Sequence, residues 1–291
     1  MNPVQRAGHG DIVETRDGRT YVVHLMGRPT TQKRRCVLGR ETGIQEAEWR
    51  DGWLWVKNGP VPASEVNLPA ARDEEKYWQA KHYDFSKGEL HKDFQWLRTP
   101  EPERIFSLTD KPGVLRLYGR ESIGSWFEQA LVARRQQHFN FTAETVLDFS
   151  PQDERQMAGM ALYYGRYNFH YLAVTAHADG QRELLNMSSL ASFPDGRLSF
   201  PGEPVQIPNE GKVRLRMNVQ DSALQFSFAV GNANEFQPVG PALDASLISD
   251  ECGGHAEHGS FTGSFVALCA HDLNGSAAPA DFDYLTYEPR K

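Results

Sequence analysis

The sequence predicts an all-β protein, a two-sheet β-sandwich preceded by a smaller unit of about four strands. Three observations carry this. Runs of β-branched and aromatic residues recur along the chain between Asp-Gly, Asn-Gly and Pro-containing turns. Several runs alternate apolar and polar residues with the period of two expected when one strand face is buried. No long segment repeats apolar residues at the 3.6-residue period of an amphipathic helix.

Residues 1–57 form the first unit. The stretches 11–16 and 19–26 flank Asp17-Gly18, a hairpin signature, and 46–49 and 53–56 flank Asp51-Gly52, a second one. Four short antiparallel strands are the content of one β-propeller blade, which takes about 40–45 residues in common repeats. One blade cannot bury both of its faces. This unit is therefore expected to pack on the sandwich, to frame an oligomer interface or to be partly disordered. The chain enters this patterned sequence at once, as though part-way through a domain.

Residues 58–84 read as a linker. Asn58-Gly59-Pro60, Pro62 and Pro69 break regular structure, and 71–78 are charged and polar. Residues 85–291 supply the sandwich. Candidate strands fall at 113–118, 139–149, 157–164, 168–175, 213–219, 224–230, 264–269 and 281–287. Val213, Leu215, Met217 and Val219 share one face, as do Leu224, Phe226, Phe228 and Val230, and these faces are expected to point inward.

Composition bounds the function. The 291 residues carry 31 Lys+Arg and 38 Asp+Glu, a net charge of −7, with 40% hydrophobic and 24% charged residues, as in an ordinary soluble globular chain. No apolar run approaches the roughly 18 residues of a membrane span, and the first residues lack the apolar core of a secretory leader. Neither a membrane nor, for an acidic chain, a nucleic acid is expected as partner, and a cytoplasmic location is. Cys36, Cys252 and Cys269 are an odd set without metal-type spacing, which fits reduced thiols. Cys252, His255, Glu257 and His258 are metal-ligand types, but their spacing closes no tetrahedral site and none is predicted. Lys33-Arg34-Arg35 and Arg134-Arg135 read as solvated faces or local ion pairs. No phosphate loop, dinucleotide fingerprint, His-Glu-x-x-His or nucleophile elbow is present.

Two ordered sets of motifs go further. The first is Gly8-His9-Gly10-Asp11-Ile12-Val13, His24-Leu25-Met26-Gly27-Arg28-Pro29, Leu38-Gly39-Arg40-Glu41-Thr42-Gly43, and Glu48-Trp49 before Asp51-Gly52-Trp53. The second is Gly119-Arg120-Glu121-Ser122, the run 132–138, Gln156-Met157-Ala158-Gly159, Phe261-Thr262-Gly263-Ser264-Phe265 and Asp281-Phe282-Asp283-Tyr284. In this order, over essentially the whole chain, they resemble the C-terminal half of the β-xylosidases of glycoside hydrolase family 43. The resemblance implies a concanavalin-A-like sandwich (a jelly roll) after the last part of a five-bladed propeller. It implies inverting hydrolysis of xylosides by a general acid and a general base, with a third carboxylate tuning the acid. These three lie upstream of the Gly-His motif in the family, so no catalytic residue is assigned here, and Asp11 and Glu41 match no catalytic motif.

Three substrate-binding candidates follow from the resemblance. Arg40 corresponds to an arginine that reaches the sugar, a role suited to fixed guanidinium donors; the alternative is a structural pair with Glu41 or Glu46. Phe261 corresponds to an aromatic that a sandwich loop places over the pocket mouth; the alternative is a core phenylalanine. His9 corresponds to a histidine beneath the pocket, beside water or an ion; the alternative is a satisfied buried histidine. A calcium ion near His9 is the one cofactor left open. The expected partners are a xyloside or xylo-oligosaccharide, a polypeptide carrying the remaining blades, and further copies of the chain in a homo-oligomer. A second class of function is also consistent with these residues, a non-catalytic module that binds carbohydrate, shapes a pocket or drives association.

Overall fold

The computed structural model describes residues 3–68, 73–190, 198–231, 233–253 and 260–291. His255, Glu257 and His258 lie outside the described residues. Among the described residues the strands form three antiparallel sheets.

The first sheet has four strands in chain order: β1 (Gln5–Glu14), β2 (Thr20–Gly27), β3 (Glu41–Arg50) and β4 (Trp53–Val56). Asp17-Gly18 and Asp51-Gly52 turn the two hairpins, and Ile12 stands opposite Val22 in the first. β1 begins well before the hairpin run starting at Asp11. Its register shifts between Gln5 and Gly8 and again between Gly8 and Gly10, irregularities that break the alternation by which a strand is read. Tyr21, His24, Gln45 and Ala47 are buried, whereas β1 is exposed and Trp53 is 74% exposed.

The segment after β4 is tied to this sheet by a reciprocal pair. The Gln45 amide donates to the Ala63 carbonyl at 3.2 Å and accepts from the Ala63 N–H at 3.0 Å. It then forms a short helix, α1 (Glu74–Trp78), which Asp73 caps through the Lys76 N–H. The strand Lys81–Tyr83 pairs with Pro279–Arg290, so sandwich structure begins inside the segment read as linker, a few residues before 85.

The other two sheets face each other. One follows the order Gln237–Pro238, Ala223–Val230, Val213–Gln220, Asn140–Asp148, Pro279–Arg290, Leu115–Tyr118 and Phe106–Ser107. The other follows Leu198–Ser199, Arg182–Leu190, Asn168–Ala176, Gln156–Gly165, Phe265–Asp272, Ala130–Arg135 and Phe94–Trp96. Leu215, Met217, Leu224 and Phe226 of the first meet Met160, Leu162, Leu172 and Leu268 of the second in one buried core, as the alternation requires. The second sheet is also buried on its outer face, where Leu131, Tyr163, Phe169, Tyr171 and Cys269 form another cluster. That two-sided burial is why Gln156–Gly165 and Asn168–Ala176 read as near-continuous apolar runs.

Of the two basic stretches, one departs from expectation, whereas in the other Lys33 is exposed and Arg35 pairs with Asp244 at 3.1 Å. Arg134 is 2% exposed, with its guanidinium carbon 3.7 Å from the Tyr287 ring centroid, a stacked cation instead of a solvated one. Arg34 and Arg35 are joining residues. Arg34 Nε donates to Gln5 Oε1 at 2.7 Å, and Arg35 Nη1 reaches Ser246 Oγ of the sandwich at 2.8 Å.

Candidate functional site

The site forms where the connection between β2 and β3 crosses the sandwich. Residues Cys36, Val37 and Leu38 are buried there. The crossing is laced by backbone hydrogen bonds: Asp250 N–H to Cys36 C=O at 3.2 Å, Ser264 N–H to Val37 C=O at 2.8 Å, and Arg40 N–H to Phe261 C=O at 3.0 Å. Glu251 accepts the Cys36 N–H at 2.5 Å and the Gln5 side-chain amide at 3.1 Å, and pairs with Arg6 at 3.2 Å. Arg135 Nη2 donates to the carbonyls of Leu38 and Thr262, one from each side. The first unit is thus docked on the sandwich by directional bonds, the first of its three expected fates.

Two glycines permit the approach. Gly39 and Gly263 have φ of +73° and +70°, and a Cβ on Gly39 would lie 2.3 Å from the Gly263 nitrogen. Only a residue without a side chain fits such contact at such an angle.

This interlock brings Arg40 and Phe261 together. The Arg40 guanidinium carbon lies 5.1 Å from the Phe261 ring centroid, and its Nη1 forms an ion pair with Asp250. Phe261 is 57% exposed, so it is not a core residue. Glu41 is taken by Arg28 through two bonds of 2.9 and 2.8 Å, and Glu46 by Lys57. The ion-pair partner of Arg40 is therefore neither of the neighbours considered for it.

Asp250, which the sequence did not single out, holds Arg40. Its side chain is fully buried and also accepts the Tyr164 hydroxyl at 2.8 Å and the Gly263 N–H at 3.1 Å. Burial pushes its carboxyl above the ordinary value, against the pull of Tyr164, Gly263 and Arg40. Burial also lifts the Tyr164 phenol to about 12, which keeps it a donor at neutral pH. Asp250 lies 210 residues from Arg40 in the chain, so no local spacing could pair them. The requirement is chemical: an arginine side chain only 9% exposed needs an acceptor. Among the described residues Asp250 is the ion-pair partner of Arg40.

His9 is not brought to this cluster by any contact. It is exposed on β1 with φ of +49°, so it is not a buried histidine in this chain. Among the described residues no three His, Cys, Asp or Glu side chains gather as metal ligands. A lone exposed imidazole does not make the oxygen cage that calcium takes, so the residues present do not fit that ion.

A sandwich is thus joined through a glycine interlock to a four-stranded antiparallel sheet, with an arginine and an aromatic at the junction. Residues 82–288 match the family described as β-xylosidase C-terminal concanavalin A-like domain, and residues 1–54 match glycosyl hydrolases family 43. The chain belongs to glycosyl hydrolases family 43, with a β-xylosidase C-terminal concanavalin A-like domain. It is 66% identical over 288 residues to xylosidase/arabinosidase 43B of Humicola insolens, covering 98% of this chain and 53% of that protein. It is 36% identical over 304 residues to a β-xylosidase of Bacillus subtilis, covering 99% and 55%. A crystal structure of xylan β-1,4-xylosidase from Bacillus halodurans superposes with a TM-score of 0.84 at 34% identity, over 98% of this chain and 54% of that one. The chain spans about half the length of the curated relatives it matches.

Proposed function

We propose that this chain supplies the sandwich side of a pocket for the sugar end of a xyloside, arabinoside or xylo-oligosaccharide, in a β-xylosidase-type glycosidase. The carrying observation is the held arginine. Asp250 fixes Arg40 from the buried side while Phe261 covers it from the sandwich loop. A guanidinium with its orientation set in advance meets sugar hydroxyls without a further ordering cost. The Phe261 ring face can stack on a pyranose and shorten the pocket.

The hydrolytic acid and base belong, on this reading, to propeller blades supplied by further polypeptide. The chemistry needs two carboxylates roughly 6.5–9.5 Å apart with room for water. Glu41 is held by Arg28, and Asp250 is buried in its ion pair. Asp11 is exposed and accepts the adjacent Ile12 N–H at 2.8 Å. These engagements support leaving the acid and base unassigned here. The free thiols Cys36, Cys252 and Cys269 favour a reducing compartment such as the cytoplasm.

The test is hydrolysis of 4-nitrophenyl β-D-xyloside. The purified chain alone should release no nitrophenol. A chimera carrying upstream blades from the Humicola insolens relative should release it. Turnover by the chain alone would refute the assignment.

A further inference from the structure

A second cleft lies between α1 and the sandwich. It encloses about 420 Å³, a volume in the range of small-molecule sites. Its lining charges are lopsided. Lys76, Lys81, Lys92 and Arg134 face it against a single carboxylate, Asp93, although the whole chain carries a net charge of −7. Asp93 is already engaged, accepting the Tyr83 hydroxyl at 2.6 Å and lying 3.5 Å from His91 Nδ1. Among the described residues, the three lysines have no ion-pair partner. Arg134 is the most constrained of the four. It is 2% exposed and stacked on Tyr287, and of its guanidinium nitrogens Nη2 donates to Gln137 Oε1 at 2.6 Å while Nε and Nη1 meet no acceptor.

Such a surplus needs a reason. Four cationic side chains around one cleft repel one another, and an anion entering it relieves that repulsion. The rings select among anions. Tyr83 and His91 stand 5.2 Å apart by their centroids, and with Tyr77 they present aromatic surface beside the cations. Inorganic phosphate would meet the charge and leave the rings and most of the volume unused. A sugar ring bearing a carboxylate would use both, its C–H face on the aromatic wall and its anion among the lysines.

We propose that this cleft binds a small sugar acid, a carboxylate-bearing monosaccharide or the end of a short chain carrying one. The inference stands on the cleft alone and does not depend on the xyloside reading of Arg40 and Phe261.

The experiment is calorimetric titration of the 291-residue chain with D-glucuronate, D-xylose and inorganic phosphate. Glucuronate should bind saturably at low salt and lose affinity at high salt, where screening shortens the reach of the lysines. D-xylose, which lacks the carboxylate, and phosphate, which lacks the ring, should each bind at least about tenfold more weakly. The double substitution Lys81→Gln with Lys92→Gln alters two surface side chains and should lower glucuronate affinity roughly tenfold, with an unchanged circular dichroism spectrum. Absence of saturable glucuronate binding overturns the proposal, as does phosphate binding of equal strength or an affinity unmoved by the double substitution.

Discussion

Gly39 and Gly263 lie backbone to backbone where the propeller-type strands meet the sandwich. A Cβ on either would fall within 2.4 Å of the other loop. Gly39→Ala should therefore cost more than a glycine-to-alanine change at an open position of similar φ. Gly113, at +84° with nothing within 4 Å, is the comparison. The left-handed angle alone costs about 1–2 kcal/mol, and overpacking against rigid backbone adds about 1–3 kcal/mol more. Urea denaturation of both variants checks this. Equal losses would mean that the loops do not interlock.

Asp250 and Arg40 predict a second asymmetry. Asp250→Asn keeps the shape and leaves the guanidinium without its counter-charge. The loss should be about 2–4 kcal/mol, somewhat under the usual cost of breaking a buried pair because Arg40 retains some exposure. Chemical denaturation measures it, and a change below about 0.5 kcal/mol, the range of ordinary surface substitutions, would deny the pair its role.

His271 makes stability depend on pH. It lies buried in the strand Phe265–Asp272, where burial drives its imidazole down to about 4 from the usual 6.5. The unfolded chain therefore binds a proton between those values that the folded chain refuses. The stabilisation is full above 6.5 and is lost as the pH falls toward 4, by about 3 kcal/mol in all. Denaturation midpoints across this window should fall with acid in the native chain and fall less in His271→Gln. Parallel slopes for the two proteins would show that another group titrates.

Asp281 acts at lower pH. Burial works against its charge, yet the bidentate Arg116 contact at 2.7 and 2.9 Å and Lys111 at 2.8 Å hold the carboxyl below its ordinary 3.8. Its contribution is present above 3.8 and vanishes as the pH falls through the lower folded value. Asp281→Asn should cost about 2–3 kcal/mol near neutrality and much less once that carboxyl is protonated. A cost that does not change with pH would contradict the charged pairing.

Much of this architecture was legible in the chain. The alternation in Val213–Gln220 and Ala223–Val230 named the buried face, with Val230 only partly buried, and two Asp-Gly turns located the hairpins of the first sheet. What escaped is equally physical. Ala130–Arg135 is a buried strand one in from the sheet edge, but its two arginines disguised it as surface; stacking on Tyr287 is what allows Arg134 inside. Arg182–Leu190 was hidden by the polar residues Asn186, Ser188 and Ser189, which are buried with hydrogen bonds to distant carbonyls or side chains. Arg40 and Phe261 could be singled out by motif, whereas Asp250 becomes visible only once folding closes the long loop between it and Arg40.

The central claim is that Arg40, held by Asp250 and covered by Phe261, grips the sugar. The most direct measurement is kcat/KM for 4-nitrophenyl β-D-xyloside in the chimera with upstream blades, comparing the parent with Arg40→Ala. Loss of several charge-assisted hydrogen bonds should lower kcat/KM by roughly 100-fold or more, about 3 kcal/mol of transition-state binding. An Arg40→Ala chimera that folds as the parent does and keeps its kcat/KM would contradict the account.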